Sequence, residues 1–386
     1  MSLTFYLRKF LTELEVSKDS IFTCPVSKQR EYLEHFTPPQ DLLERSYFQY
    51  KCQMFFYPLW FSVFLNLISF PILFFYFFKG NDDILYENVD AVFFSDGKKE
   101  SIIPVSLRNG YKVWKVIVKK GERLNISDKK YLLKVFRRYK FSWYFLLKSL
   151  IKIRFYRYVI DSNSPRAIVV CNEYSFTSSL LTDFCSYNGI RHVNVMHGES
   201  LYYIRDSFFS YKECYVWNKE YRTLFINLRA DKKQFRIEIP PLLSFNNKQS
   251  NIVKQFDFTY YLGSERGKTL SRIVSVLLSL SKFNYRVAIR LHPRYTSLTD
   301  LNLISKNIEI ELPEKLTIEE SLMRTNNAIS LYSTVLNQAF YNNVGVVIDD
   351  LTQTERYKKL KGLGYVMLNL EHKLLSEIVS ENRRPN

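Results

Sequence analysis

Two of the five histidines in this 386-residue chain follow β-branched apolar runs. Tyr285-Arg-Val-Ala-Ile-Arg-Leu runs into His292-Pro293-Arg294, and Arg191-His-Val-Asn-Val-Met runs into His197-Gly198. A proline or glycine after such a run ends a strand. The imidazole and guanidinium groups beside it can donate hydrogen bonds to an anion. Ligands in open α/β sheets bind just past the carboxyl ends of strands, so the pair of histidines suggests an anion-handling cleft between two α/β halves.

Two further segments carry the same chemistry. Gly263-Ser-Glu-Arg-Gly-Lys-Thr269 links a strand to a helix and ends like a P-loop. That motif needs four residues between its glycines, and only three stand here, so an NTPase is rejected. A Gly/Ser loop at a helix start still offers backbone N–H groups to a phosphate, and Arg266 adds charge. Ser333-Thr334 opens a helix after strand 327–331 and offers hydroxyls and N–H groups in the same way. Loop 263–268, His292-Arg294 and Ser333-Thr334 all follow strands of one expected sheet.

The elements that must position them alternate along the chain. Strands are expected at 89–94, 166–171, 191–197 and 213–217, with helices over 141–157 and about 176–188. After a polar linker at 239–250 come strand 256–262, helix 269–282, strands 285–291 and 307–311, helix 317–323, strand 327–331, helix 333–342 and strand 344–348. Strands alternating with helices imply parallel sheets. The fold class is therefore α/β, with two facing doubly wound, Rossmann-like domains. The expected divisions are an N-terminal helical segment 1–50, a hydrophobic segment 51–80, an α/β domain 81–243 and a second α/β domain 244–386.

Composition adds two bounds. Met54 to Phe78 holds no charge and is flanked by Lys51 and Lys79, which meets the length criterion for a membrane helix, although Pro71 suits an interfacial or re-entrant one equally. Net charge is +17, and thirteen of the excess charges lie in 112–157, where fifteen Lys/Arg face only Glu122 and Asp128. Basic residues interleaved with aromatics suit nucleic acid or an anionic membrane surface. Five scattered cysteines without a CxxC pair point to a reducing compartment and away from structural zinc. The charged first twenty residues do not read as a cleavable signal peptide.

Taken in order, His-Gly, Gly-Ser, His-Pro-Arg and Ser-Thr resemble the motifs of GT-B glycosyltransferases of bacterial surface-polysaccharide (capsule and lipopolysaccharide) assembly. Within that group the chain is similar to bacterial sialyltransferases, and also to capsule Kdo transferases and teichoic-acid glycerophosphotransferases. The resemblance covers roughly residues 87–350. It implies that His292, Ser333 and Thr334 hold the donor's nucleotide phosphate, that Arg294 and Arg266 add charge, and that Gly263 and Ser264 line the same pocket. The glycerophosphotransferases make His197 the candidate general base. The sialyltransferases use an acid of an Asp/Glu-Asp/Glu-Gly motif, whose nearest match is Ser95-Asp96-Gly97, so Asp96 is the other candidate. Glu173 and Glu199 also follow strands and are lesser ones. Asp349-Asp350 reads as a strand-end cap, so a metal-independent enzyme is expected, with no cofactor beyond a nucleotide-sugar co-substrate, CMP-linked favoured.

The expected function is transfer of a sugar, sialic acid from CMP-sialic acid favoured, to a surface polysaccharide or lipid-linked glycan. The expected place is the cytoplasmic face of the bacterial inner membrane, met through 54–78 and 112–157. Kdo or glycerophosphate transfer is the alternative within the fold. A basic nucleic-acid-binding protein or a non-catalytic membrane scaffold are the alternatives outside it; nucleic acid ranks low because no module for it is evident.

Overall fold

The computed structural model describes residues 24–95, 100–117, 121–245, 253–296 and 308–381. The chain divides into two units. The first holds Met1–Glu100, Pro104–Met196 and Tyr202–Glu238; the second holds Ser101–Ile103, His197–Leu201 and Ile239–Asn386.

In the first unit three helices, α1 (Val26–Glu34), α2 (Leu42–Met54) and α3 (Leu59–Phe78), precede β1 (Ala91–Phe94), α4 (Val105–Asn109) and β2 (Trp114–Ile117). Then come α5 (Ile126–Arg138), α6 (Trp143–Asn163), β3 (Ala167–Val170), α7 (Ser178–Tyr187), β4 (Arg191–Val195), β5 (Glu213–Val216), α8 (Lys219–Asn227) and β6 (Phe235–Ile237). The six strands form one sheet in the order β2-β1-β3-β4-β5-β6, and every pairing is parallel. β1 and β3 are buried along their whole length. This is why they read as continuous apolar runs rather than alternating ones.

The second unit runs β7 (Phe256–Tyr261), α9 (Gly267–Lys282), β8 (Val287–Arg290), β9 (Glu309–Glu311), α10 (Ile318–Arg324) and β10 (Thr325–Ser330). It continues with α11 (Thr334–Tyr341), β11 (Gly345–Ile348), α12 (Thr354–Gly362), β12 (Lys373–Leu374) and α13 (Leu375–Glu381). Its sheet, also all parallel, has the order β12-β11-β10-β7-β8-β9. Both sheets thus have a doubly wound order, as the alternation in the sequence predicts. In the first the order reverses between β1 and β3; in the second, between β7 and β10. The core of the second unit joins Leu270, Ile273, Leu277 and Leu280 of α9 to Tyr260, Val287 and Ile289 of the sheet. The 3–4 residue spacing in α9 turns one stripe inward, and each such side chain contributes about 1.5–3 kcal/mol by leaving water.

The uncharged run 54–78 divides at Pro58. Met54 ends α2, and α3 is a separate 20-residue helix with Pro58 at its N-cap. The basic segment is only partly a charged surface. Arg154 and Arg157 are buried; Arg157 grips buried Asp128 with Nη2 at 2.7 Å, and Asp128 in turn completes the capping box of α5 with Asn125. Helix α6, longer than expected, ends at Ser164 in a left-handed conformation (φ 42°).

Candidate functional site

The second unit brings most of the expected residues to one place, the carboxyl edge of its sheet around the β7/β10 reversal. Loop 262–266 leaves β7, and Leu291-His292 leaves β8, the next strand. Leu331-Tyr332-Ser333 leaves β10, on the other side of β7. A crevice at such a reversal is where open α/β sheets bind ligands, because neighbouring loops there turn away to opposite sides.

The loops are braced to one another. Arg266 donates to the carbonyl of Tyr295 from Nη2 (2.7 Å) and Nε (3.2 Å), tying the first loop to the second. Ring stacking at 4.5 Å sets Tyr295 against His292. The His292 N–H donates to Thr296 Oγ1 at 2.6 Å, and Nδ1 accepts from the Arg294 N–H at 3.0 Å. With Nδ1 accepting, the ring proton of the neutral imidazole resides on Nε2. Burial, aided by the Arg294 charge and opposed by Glu265, lowers the His292 pKa below its usual value. The ring therefore presents a neutral N–H donor at pH 7.

Glu265 is the residue that the sequence reading did not single out. Its carboxylate accepts the Gly263 N–H and a side-chain N–H of Gln353 at 3.3 Å. A Cβ at position 263 would stand 3.3 Å from Glu265 Oε2, so glycine lets the carboxylate come close to the backbone. The cradle expected for a phosphate thus holds a carboxylate of the chain's own. Ser264 and Arg266 are exposed beside it, and α9 begins two residues after Glu265. At its first position Gly267 takes φ +52°, with open space around it, a conformation other residues adopt only at a cost of about 1–2 kcal/mol.

Ser333 caps α11, accepting from the Val335 N–H at 3.3 Å, and Thr334 is the first helical residue. On the same helix buried Asn337 donates to the Glu199 carboxylate, and the Tyr332 hydroxyl donates to the Glu199 carbonyl at 3.3 Å. The His197–Leu201 segment therefore belongs to the second unit, anchored beside the start of α11. Glu199 acts as its anchor rather than as a solvent-facing acid.

The remaining candidates lie elsewhere. Asp96 is outside the described residues. Glu173 is buried in the first unit, where its carboxylate accepts from Asn194 Nδ2 at 3.3 Å. Asp349 is fully buried and accepts from the Tyr260 hydroxyl (2.6 Å) and the Thr352 N–H (2.8 Å). Asp350 accepts from the Ser376 N–H at 2.9 Å, at the start of α13. Both act as the strand-end caps read from the sequence. Among the described residues no group of three His, Cys, Asp or Glu is placed to hold a metal ion.

The carboxyl edge of the first sheet differs. At the β1/β3 reversal a recess is lined by Phe94, Tyr156, Asn172, Ser175, His192 and Tyr211 among others. Lys152 lines it too, and several of its other polar groups pair within the first unit. His192 lies between the Tyr156 hydroxyl (2.9 Å) and Thr182 Oγ1 (2.8 Å), and Tyr211 donates to the Asn172 carbonyl at 2.8 Å. Burial lowers the His192 pKa to about 3, so this ring is a neutral core group.

No protein-family model matches the sequence, and no curated protein does. Solved structures match in shape. One is the glycotransferase of kitacinnamycin, at 10% identity and TM-score 0.45, over 78% of this chain and 89% of that one. The wall teichoic acid polymerase TagF matches at 12% identity and TM-score 0.42, over 78% and 80%. A UDP-N-acetylglucosamine 2-epimerase from Rickettsia bellii matches at 11% and 0.41, over 69% and 79%. All three TM-scores lie below 0.5 and all three identities at 12% or less, so these likenesses assign the chain neither a family nor a chemistry.

Proposed function

We propose that the chain is a glycosyltransferase that takes its sugar from a nucleotide-activated donor, CMP-sialic acid favoured, and passes it to a surface polysaccharide or lipid-linked glycan. Kdo or glycerophosphate transfer by the same site is the second reading, supported by the His197-Gly198 segment lying beside Ser333. The proposed place of action is the cytoplasmic face of the inner membrane.

One observation carries the reading. Loop 262–266, His292, the Ser333–Thr334 helix start and the His197 segment converge at the β7/β10 reversal of a single sheet. Glycosyl transfer breaks the bond between the anomeric carbon and the donor phosphate oxygen and forms one to the acceptor oxygen. The acceptor proton goes to a base, and negative charge builds on the departing phosphate. Neutral His292 Nε2–H, the Ser333 and Thr334 hydroxyls and the first N–H groups of α11 suit that charge, with Arg266 and Arg294 raising the local potential. His197 is the base this reading favours, since Glu199, two residues on, is anchored to Tyr332 and Asn337 at the helix start that carries Ser333. Asp96 is the competing choice.

Thermal melting of the full chain against CMP-, UDP-, GDP- and CDP-linked donors tests the reading. A CMP-linked donor at a hundred times its dissociation constant stabilises by about 2.7 kcal/mol. Melting that no donor shifts refutes the transferase reading, and a shift by CDP-glycerol alone selects glycerophosphate transfer.

A further inference from the structure

Helix α3 presents two opposite faces. Leu65, Ser69, Leu73 and Tyr76 are buried, and the helix packs along α6. On the far side Trp60, Val63, Leu67, Phe70, Phe74 and Phe78 are exposed, Leu67 by 67% and Phe78 by 74%. At 100° per residue these six fall within one face, about 150° from the buried four. A soluble protein does not leave so large an apolar strip to water without use.

The strip extends beyond α3. Phe77 meets Phe136 of α5 (6.1 Å), and Lys129 of α5 lies over the Phe77 ring. The outward face of α5 carries Ile126, Lys130, Leu133, Lys134 and Arg137, all exposed. Between α5 and α6, Phe141 is 77% exposed in a left-handed conformation, φ 68°. It reaches Phe70 through Trp143, at 6.0 and 4.7 Å. Holding an aromatic ring outward on such backbone costs free energy and gains nothing in water. An apolar strip edged by Lys and Arg is complementary to one surface, an anionic bilayer.

Twenty residues are long enough to cross a bilayer, but the attachments of α3 oppose it. Arg154, fully buried on α6, donates to the carbonyls of Tyr76 (3.2 Å), Lys79 (3.1 Å) and Gly80 at the end of α3. Lys79 pairs with Glu122 at 2.6 Å, and Asn66 accepts from the Tyr144 N–H at 3.2 Å. Insertion across the membrane would strip these bonds from buried charges.

We propose that α3 lies flat in the headgroup–acyl boundary of an anionic bilayer, its outer face in lipid, with Phe141 and the basic face of α5 at its side. This deepens the membrane reading given above and stands apart from the transferase chemistry, since it is read by vesicle binding without any donor. The experiment uses the full chain with vesicles of phosphatidylcholine alone and of phosphatidylcholine with phosphatidylglycerol. Binding is expected to the anionic vesicles and to weaken with salt. Lys130→Glu with Lys134→Glu should lower it about tenfold or more. Leu67→Glu with Phe74→Glu should abolish it, with unchanged melting. In a Cys24→Ser background, fluorophores placed at Trp60, Leu67 and Phe78 should all be quenched by shallow lipid quenchers. Quenching of the Leu67 label only by deep quenchers would mean a spanning helix and overturn the proposal. So would absence of vesicle binding, or a dimer that covers the strip and ignores vesicles.

Discussion

Replacing His292 separates its two nitrogens. Nδ1 accepts the Arg294 N–H at 3.0 Å and braces the loop, while Nε2 carries the proton and is the atom available to a donor phosphate. Asparagine places an acceptor near Nδ1 and nothing at Nε2; glutamine does the reverse. A neutral N–H donating to an anion is worth about 1.5–3 kcal/mol, or roughly 10–150-fold in kcat/KM for the nucleotide sugar. His292→Asn should therefore lose that factor with melting unchanged, His292→Ala should lose at least as much, and His292→Gln should recover part of it. Acidity adds a second reading. The folded pKa lies below the ordinary 6.5 because of burial and Arg294, so the ring is neutral at pH 7 and gains charge only under more acid conditions. Donor KM of the wild type should fall as pH drops below 6.5, and the Asn and Gln variants should lack this dependence. Steady-state kinetics with radiolabelled donor between pH 5 and 8 measure both. Full activity in His292→Asn, or a dead Gln variant beside an active Asn one, would refute the role given to Nε2.

Ser333→Ala removes the cap of α11 and should cost about 1 kcal/mol of stability, together with a several-fold rise in donor KM, read by melting and kinetics. Glu265→Gln removes a negative charge from the phosphate cradle, so donor KM should fall; a rise would mean that the carboxylate binds the donor rather than competing with it. In the first unit, burial raises the Asp206 pKa from 3.8 to about 6 and lowers that of His192 to about 3. Raised Asp206 favours the folded state at low pH, a contribution lost as pH climbs from about 4 to 6, and Asp206→Asn should recover up to about 3 kcal/mol at pH 7. His192 acts oppositely, destabilising the fold as pH falls below 6.5, so His192→Gln should melt with a smaller acid sensitivity than the wild type in scans between pH 4 and 7.

Much of this site is legible from local sequence because strand ends announce themselves. Val287–Arg290 is a short β-branched run closed by His292-Pro293, and Ser333 is a cap residue just past β10. What escaped reading depends on partners distant in sequence or on edges. β2 (Trp114-Lys-Val-Ile) is half-buried throughout and carries a lysine, so it lacks the apolar signature of an inner strand, and β12 has two residues. Arg154 counts in the sequence as one more surface cation, yet it is buried against carbonyls 74–78 residues earlier. The pairing of Glu199 with Asn337 spans 138 residues. No local pattern could have moved the His197 segment from the first unit to the second.

Under the proposed function, Glu265 bears most directly on how the second unit, rather than the first, would take an anionic ligand. At the β1/β3 reversal His192 answers to Tyr156 and Thr182, and the Asn172 N–H to Asn194. Substituting a ligand there would break a buried network. At the β7/β10 reversal the Gly263 N–H is answered by the buried carboxylate of Glu265, two residues away, on a loop held by Arg266. An N–H near a helix start attracts negative charge through geometry and dipole together, and the loop supplies that charge from its own side chain. Under the proposed function a phosphate would make the same hydrogen bond with more charge, and the buried Glu265 would give up its Gly263 and Gln353 contacts to admit it. Gly263, His292 and Ser333 lie outside the hydrophobic core of the second unit, so under the proposed function an anion would bind there without that core rearranging.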